Sequence, residues 1–398
     1  MSIQVYSISL ENKAEALQVL TAIGADPAGC RLMAPKAVHR LIMLEGVTPG
    51  QANIIKQEML AKGGEAAVTR GVANHSVKET AVLLMGTLKH YEVFLQKLKM
   101  QQFGLPELAG KIRDVLDNLE GRRPCELDCR GKKLRLGERT LVMGILNVTP
   151  DSFSDGGRFF DPLPALERAR QMVEDGADII DLGGESTRPG YAPVSAEEEL
   201  NRIMPVLERL PAEIAAPVSV DTCKAEVARR ALAAGVHIIN DQWALRADPQ
   251  MAEVAAGYGA PVIMMHNQNS TVYRDLIGDM VEYFRESMKK ALAAGIPAEK
   301  IIIDPGIGFG KTVEQNLEAL RRLRELRCLG RPILLGTSRK SVIGKTLDLP
   351  VDQRLEGTAA TVAVGIAYGA DIVRVHDVKE IARVARMADA VVRRQRSW

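Results

Sequence analysis

Residues 217–241, PVSVDTCKAEVARRALAAGVHIIND, hold one complete unit of the pattern that decides the fold. A short apolar run, 217–220, ends on Asp221. A helical stretch follows over 223–234, and a second apolar run, 236–239, ends on Asn240 and Asp241. These runs lack the sustained apolar–polar alternation of a half-exposed strand, and such segments suit strands buried on both faces of a parallel sheet.

Working outward, the unit recurs. Strands are expected at 141–146, 178–182, 217–220, 236–239, 261–265, 301–303, 332–335 and 371–375. Helices are expected between and after them, near 162–175, 196–209, 223–234, 249–258, 276–294, 313–327, 354–369 and 378–394. Asp161 before Pro162, and Ser195 three residues before Glu198, are helix-start signals. Eight such units with no reversal of order predict a closed (β/α)8 TIM barrel.

The barrel is expected over 123–398, with a smaller α/β domain over 1–122. In the smaller domain the patterns predict strands at 3–8, 38–44 and 80–85 and helices at 11–22, 49–62, 87–99 and 105–119. Gly63-Gly64 reads as a helix C-cap followed by a strand. The segment 123–139 reads as a hairpin turning at Arg130-Gly131 and closing the bottom of the barrel.

Composition narrows the function. A net charge of +2 is not the basic excess of a nucleic-acid binder, so any anion must be held by a local cluster of cations. The uncharged, small-residue run 357–370 has 14 residues, short of the ~20 of a membrane span, so neither a nucleic-acid nor a membrane partner is expected. The start carries no basic segment leading into an apolar one, and the five cysteines form no disulfide framework, which predicts a cytoplasmic protein. Cys125 and Cys129 lack the further ligands of a zinc site.

In barrels of this class the active site lies at the C-terminal strand ends. Those ends carry Asn147, Asp181 with Glu185, Asp221, Asn240 with Asp241, His266, Asp304, Ser338 with Lys340, and Arg374 with His376. Asp221, Asn240 and Asp304 supply acceptors for a ring bearing amino and N–H groups. Lys340, Arg374 and His376 supply cations, with Arg188 on the loop after the second strand. Arg374 and His376 lie two apart, so they project the same way, and the last two strand ends are a frequent phosphate site. A flat polar heterocycle carrying phosphate is the ligand these residues suit. Two polar, glycine-bearing loops, 147–157 and 183–190, read as lids. The run GIGFGKT at 306–312 is no P-loop, because Pro305 stands where the first glycine is required.

In order, MGILNVTPDSFSDGG (143–157), DLGGESTRPG (181–190), SVDTCK (219–224), IND (239–241), MMH (264–266), DPGIGFGK (304–311), TSRKS (337–341) and RVHD (374–377) resemble the successive motifs of the dihydropteroate synthases. The resemblance covers about 138–398. It implies a transferase that joins 6-hydroxymethyl-7,8-dihydropterin diphosphate to 4-aminobenzoate, releasing diphosphate. It further implies that Asp221, Asn240, Asp304 and Lys340 hold the pterin. Asn147, Arg374 and His376 would hold diphosphate, with Mg2+ on Asn147. Phe153, Thr187, Pro189, Phe309 and Ser341 would form the aminobenzoate site, and Asp155 and Arg188 would join Lys340 in catalysis. The family usually pairs, and the small-residue helix 354–369 suits a homodimer face. Gln242-Trp243 and Asn267-Gln268-Asn269 depart from what many members carry at the ring pocket.

Asp181 and Glu185 are expected to organise the second loop. Two readings stand for His266, a satisfied buried imidazole or a substrate contact, and His237 reads as packing. The alternative activity is a pterin-binding methyltransferase using methyltetrahydrofolate, which would not need Arg374 with His376, the 147–157 loop or Ser341. A non-catalytic pterin binder should have lost some strand-end residues, and the key ones are present.

Overall fold

The structure is a computed structural model that describes residues 2–121, 125–148, 161–185 and 194–393. The chain forms two compact units, dividing at residues 122 and 123.

In the first unit β1 (His39–Val47), β2 (Glu65–Val68) and β3 (Thr80–Thr87) form an antiparallel sheet ordered β1-β3-β2. Alternation along β3 turns Val82 and Leu84 inward onto the helices. The core gathers Ile55, Met59, Tyr91, Phe94 and Leu98, and complete burial of a side chain such as Phe94 stabilises by about 1.5–3 kcal/mol. Thr48 and Gln51 form a capping box for the helix Pro49–Leu60, and Thr87 caps the helix Leu88–Leu98. The strand expected at 3–8 is absent. Its alternation pairs with no strand of the sheet, and Ile3 and Val5 stay exposed. The helix Pro27–Ala37 was not anticipated; Asp26 caps it and Pro27 occupies its first turn.

The second unit opens with a hairpin, β4 (Cys125–Cys129) and β5 (Lys132–Leu136), turning at Arg130-Gly131. Leu127, Cys129, Leu134 and Leu136 cluster with residues from the first halves of the barrel strands, among them Met143, Ile179, Ile238 and Ile302. The hairpin therefore closes the N-terminal end of the barrel.

Eight parallel strands follow: β6 (Leu141–Asn147), β7 (Ile179–Gly183), β8 (Val218–Asp221), β9 (Ile238–Asp241), β10 (Val262–Met265), β11 (Ile301–Asp304), β12 (Leu334–Leu335) and β13 (Ile372–Val375). A parallel bridge between Ile303 and Ile333 joins the two ends of the sheet and closes the barrel. The seventh barrel strand is shorter than expected, and the helix expected at 313–327 stops at Arg321 and continues as a 3-10 segment, Leu323–Leu329. Among the described residues no helix is long and apolar enough to cross a membrane.

Candidate active site

The strand ends converge as the barrel requires. Arg374, from β13, donates through Nε to Asp181 Oδ2 at 2.6 Å and through Nη2 to Asp221 Oδ2 at 2.7 Å. Asn240 Nδ2 donates to the same Asp181 oxygen at 3.0 Å. Gln242 Nε2 donates to the other Asp221 oxygen at 2.7 Å. One guanidinium thus ties β7, β8 and β13 together, and β9 joins through two amides. Asp181 was expected to organise the second loop; it is instead wholly buried inside the mouth. Glu185 does sit at the base of that loop, accepting from Val194 N at 3.4 Å and pairing with Lys224. Lys224 also binds the buried Glu199 at 2.6 Å.

Electrostatics follow from burial. Desolvation raises the Asp221 carboxyl, and Asp181 adds to the rise, while Arg374 and the Gln242 hydrogen bond oppose it. Burial opposes the charge on Arg374, but Asp181 and Asp221 outweigh it and hold the guanidinium above its ordinary value. Asp304 is raised by burial against the pull of Lys340. Burial lowers Lys340 to about 8, with Asp304 the strongest opposing charge.

The β11 end is shaped by glycine. A Cβ on Gly306, at φ 66°, would lie 2.0 Å from the His266 carbonyl oxygen, so only glycine fits. Asp304 Oδ1 accepts from Gly306 N at 2.8 Å. Lys340 donates to the Ile307 carbonyl, and its ammonium lies 4.4 Å from the centre of the Phe309 ring. Beneath this turn Lys311 Nζ contacts the Gly306 and Phe309 carbonyls at 3.2 and 3.1 Å and His266 Nδ1 at 3.0 Å. Burial lowers Lys311 to about 7 and His266 to about 2. His266 packs edge-on against Tyr283 and is 1% exposed, which matches the buried-imidazole reading.

His376 Nδ1 lies 2.9 Å from Ser338 Oγ. Ser341 opens the helix Ser341–Leu347 and is exposed. Asn147 ends β6; a Cβ placed on Gly183 would stand 4.0 Å from its Oδ1 and 3.8 Å from Asp221 Oδ2. Phe153, Asp155, Thr187, Arg188 and Pro189 lie outside the described residues. In the sequence Asp181 stands at the rim but reads as a loop organiser, Gln242 reads only as a departure at the ring pocket, and Lys311 has no site role. The signal for Asp181 and Gln242 was their place at or beside a strand end.

A family model described as pterin binding enzyme matches residues 143–376. A dihydropteroate synthase from Clostridium beijerinckii is 53% identical over 264 residues, covering 66% of this chain and 98% of that one. A structure of a dihydropteroate synthase from Clostridium difficile, determined in the presence of pteroic acid, is 55% identical with a TM-score of 0.64, covering 65% of this chain and 99% of that chain. A probable bifunctional folylpolyglutamate synthase/dihydropteroate synthase from Halobacterium salinarum is 41% identical over 387 residues, which is 94% of this chain and 46% of that protein. This last likeness extends beyond the barrel into the first unit.

Proposed function

The chain belongs to the dihydropteroate synthase family of pterin-binding enzymes, and from that membership we propose how its barrel condenses 6-hydroxymethyl-7,8-dihydropterin diphosphate with 4-aminobenzoate. The carbon–oxygen bond to diphosphate breaks, with its electron pair leaving on the diphosphate. The amine nitrogen of aminobenzoate forms the new carbon–nitrogen bond and gives up one proton. The observation that carries this reading is the buried set Asp221, Asn240 and Asp304, with Lys340 and Arg374, at one barrel mouth.

In this reading Asp221 and Asp304 accept from ring N–H groups, Asn240 pairs with the ring edge, and Lys340 donates to it. Positive charge develops on the dihydropterin as diphosphate departs, and the two carboxylates stabilise it in a site shielded from water. Positioning does the rest, and no covalent nucleophile is required. Arg374 Nη1, which makes neither carboxylate bond, and His376 hold the diphosphate. Phe309 and Ser341, with Phe153, Thr187 and Pro189, line the aminobenzoate site; Asp155 and Arg188 join Lys340 in catalysis.

Magnesium fits the donor chemistry at Asn147. Among the described residues no group of three His, Cys, Asp or Glu could hold a metal, and a hard cation that keeps several waters needs only one or two protein oxygens. The Asn147 amide oxygen, at the end of β6, is such a donor. When bound, the ion would offset charge on the diphosphate.

The protein would work as a cytoplasmic homodimer. Supporting this are five free cysteines and the apolar side chains Val364, Met387 and Val391, exposed on the last two barrel helices. The first unit, 1–122, is a separate domain in this reading, outside the catalytic barrel. The test is magnesium-dependent formation of 7,8-dihydropteroate from the two substrates. Methyl transfer from methyltetrahydrofolate with no dihydropteroate formed would contradict it.

A further inference from the structure

We propose that Gln242 is a positioning residue of the pterin pocket: its amide and Arg374 together fix the Asp221 carboxylate in the orientation that meets the ring. The inference rests on the reading of Asp221 as a ring acceptor.

Asp221 is almost fully buried, and its two oxygens are held by different elements. Oδ1 takes the Gln242 amide at 2.7 Å and Oδ2 takes Arg374 Nη2 at 2.7 Å. A carboxylate has about four acceptor positions, so one on each oxygen remains for ring N–H donors. Without the amide, only the guanidinium would orient the carboxylate. Guanidinium and carboxylate favour a two-pronged, parallel pairing. Asp221 would then turn both oxygens onto Arg374 and away from the ring. The amide prevents that collapse with a neutral donor, so it adds no charge that would compete for the carboxylate.

Gln242 is also delivered by a rigid support. It is the first residue past β9, and the preceding Asp241 accepts from Trp243 N at 2.9 Å and Leu245 N at 2.7 Å. Ala244 and Leu245 follow with φ of 51° and 63°, a conformation such residues adopt only when their surroundings impose it. Tyr283 Oη donates to the Trp243 carbonyl at 3.0 Å and pins the turn from the far side. The turn is thereby fixed independently of Gln242, so changing its side chain should leave the backbone in place.

The test uses full-length Gln242→Met, which keeps length and removes the donor, and Gln242→Glu, which sets an acceptor against the carboxylate. Turnover gives kcat and both KM values, calorimetry with 6-hydroxymethylpterin reads the ring alone, and thermal melting checks the fold. In Gln242→Met the pterin KM and the ring affinity should each worsen roughly tenfold, the loss expected of one hydrogen bond to a charged group. The kcat should fall as well, because the displaced Asp221 no longer faces the charge that develops on the ring, while the aminobenzoate KM and melting temperature should stay close to wild type. Gln242→Glu should be worse for the ring. Wild-type ring affinity in Gln242→Met, whatever its melting temperature, overturns the inference, as do equal rises in both KM values. A wild type that binds no pterin brings down the pocket reading and this inference with it.

Discussion

Arg374 and Asp221 stand 153 positions apart in the chain and meet across the barrel mouth at 2.7 Å, Nη2 to Oδ2. The same guanidinium holds Asp181, so two carboxylates that would repel each other share one cation. Arg374→Met should therefore lose more than a ligand contact. Removing one partner from a buried ion pair typically costs about 3–5 kcal/mol. Denaturant unfolding should show a loss of that order, with turnover abolished. Wild-type stability would show that the pair is not structurally engaged.

Dependence on pH follows from opposite shifts on two groups of the mouth. Asp221 is raised to about 7 by burial and must be ionised to accept from ring N–H groups, so pterin capture falls as pH drops through that value. Lys340 is lowered to about 8, also by burial, and must be protonated to donate, so capture falls again as pH rises past it. The kcat/KM for the pterin substrate should trace a narrow bell between these limbs. A profile flat from pH 6 to 9 would contradict the assignment of both groups.

Lys311 holds the turn that carries Phe309. Lys311→Met removes donors from the Gly306 and Phe309 carbonyls and from His266. The Gly306 carbonyl keeps the Phe309 N–H at 3.1 Å, so the loss falls mainly on the Phe309 carbonyl and His266, at about 1–3 kcal/mol in total. Both a lower melting temperature and a higher aminobenzoate KM are expected, because Phe309 loses its fixed position. An unchanged aminobenzoate KM would separate the turn from that site.

Light scattering at micromolar protein should report the mass of two chains. Polar substitution of Val364 and Met387 should lower it to one. A wild-type monomer would refute the dimer.

The barrel was legible because each strand is a compact apolar run that ends on a polar residue, a pattern local to a few positions. The hairpin plug was legible for the same reason, through its turn at Arg130-Gly131. What sequence concealed was pairing over distance. Asp181 read as part of the loop that follows it, because its partner Arg374 lies 193 positions away. Lys311 read as the tail of a false P-loop, since nothing local says that its ammonium turns back beneath Gly306. The segment 3–8 misled in the other direction. Its alternation has the look of a strand, but a strand needs a neighbour and the three-stranded sheet provides none.

We place the pterin ring at the mouth built on Asp221 and Asp304. The most direct test is calorimetric titration of 6-hydroxymethylpterin into the wild type, Asp221→Ala and Asp304→Ala. Each carboxylate makes charge-assisted bonds worth about 1.5–3 kcal/mol. Each variant should therefore bind the ring at least about tenfold more weakly than the wild type. Unchanged affinity in both variants would place the pterin elsewhere and contradict the account.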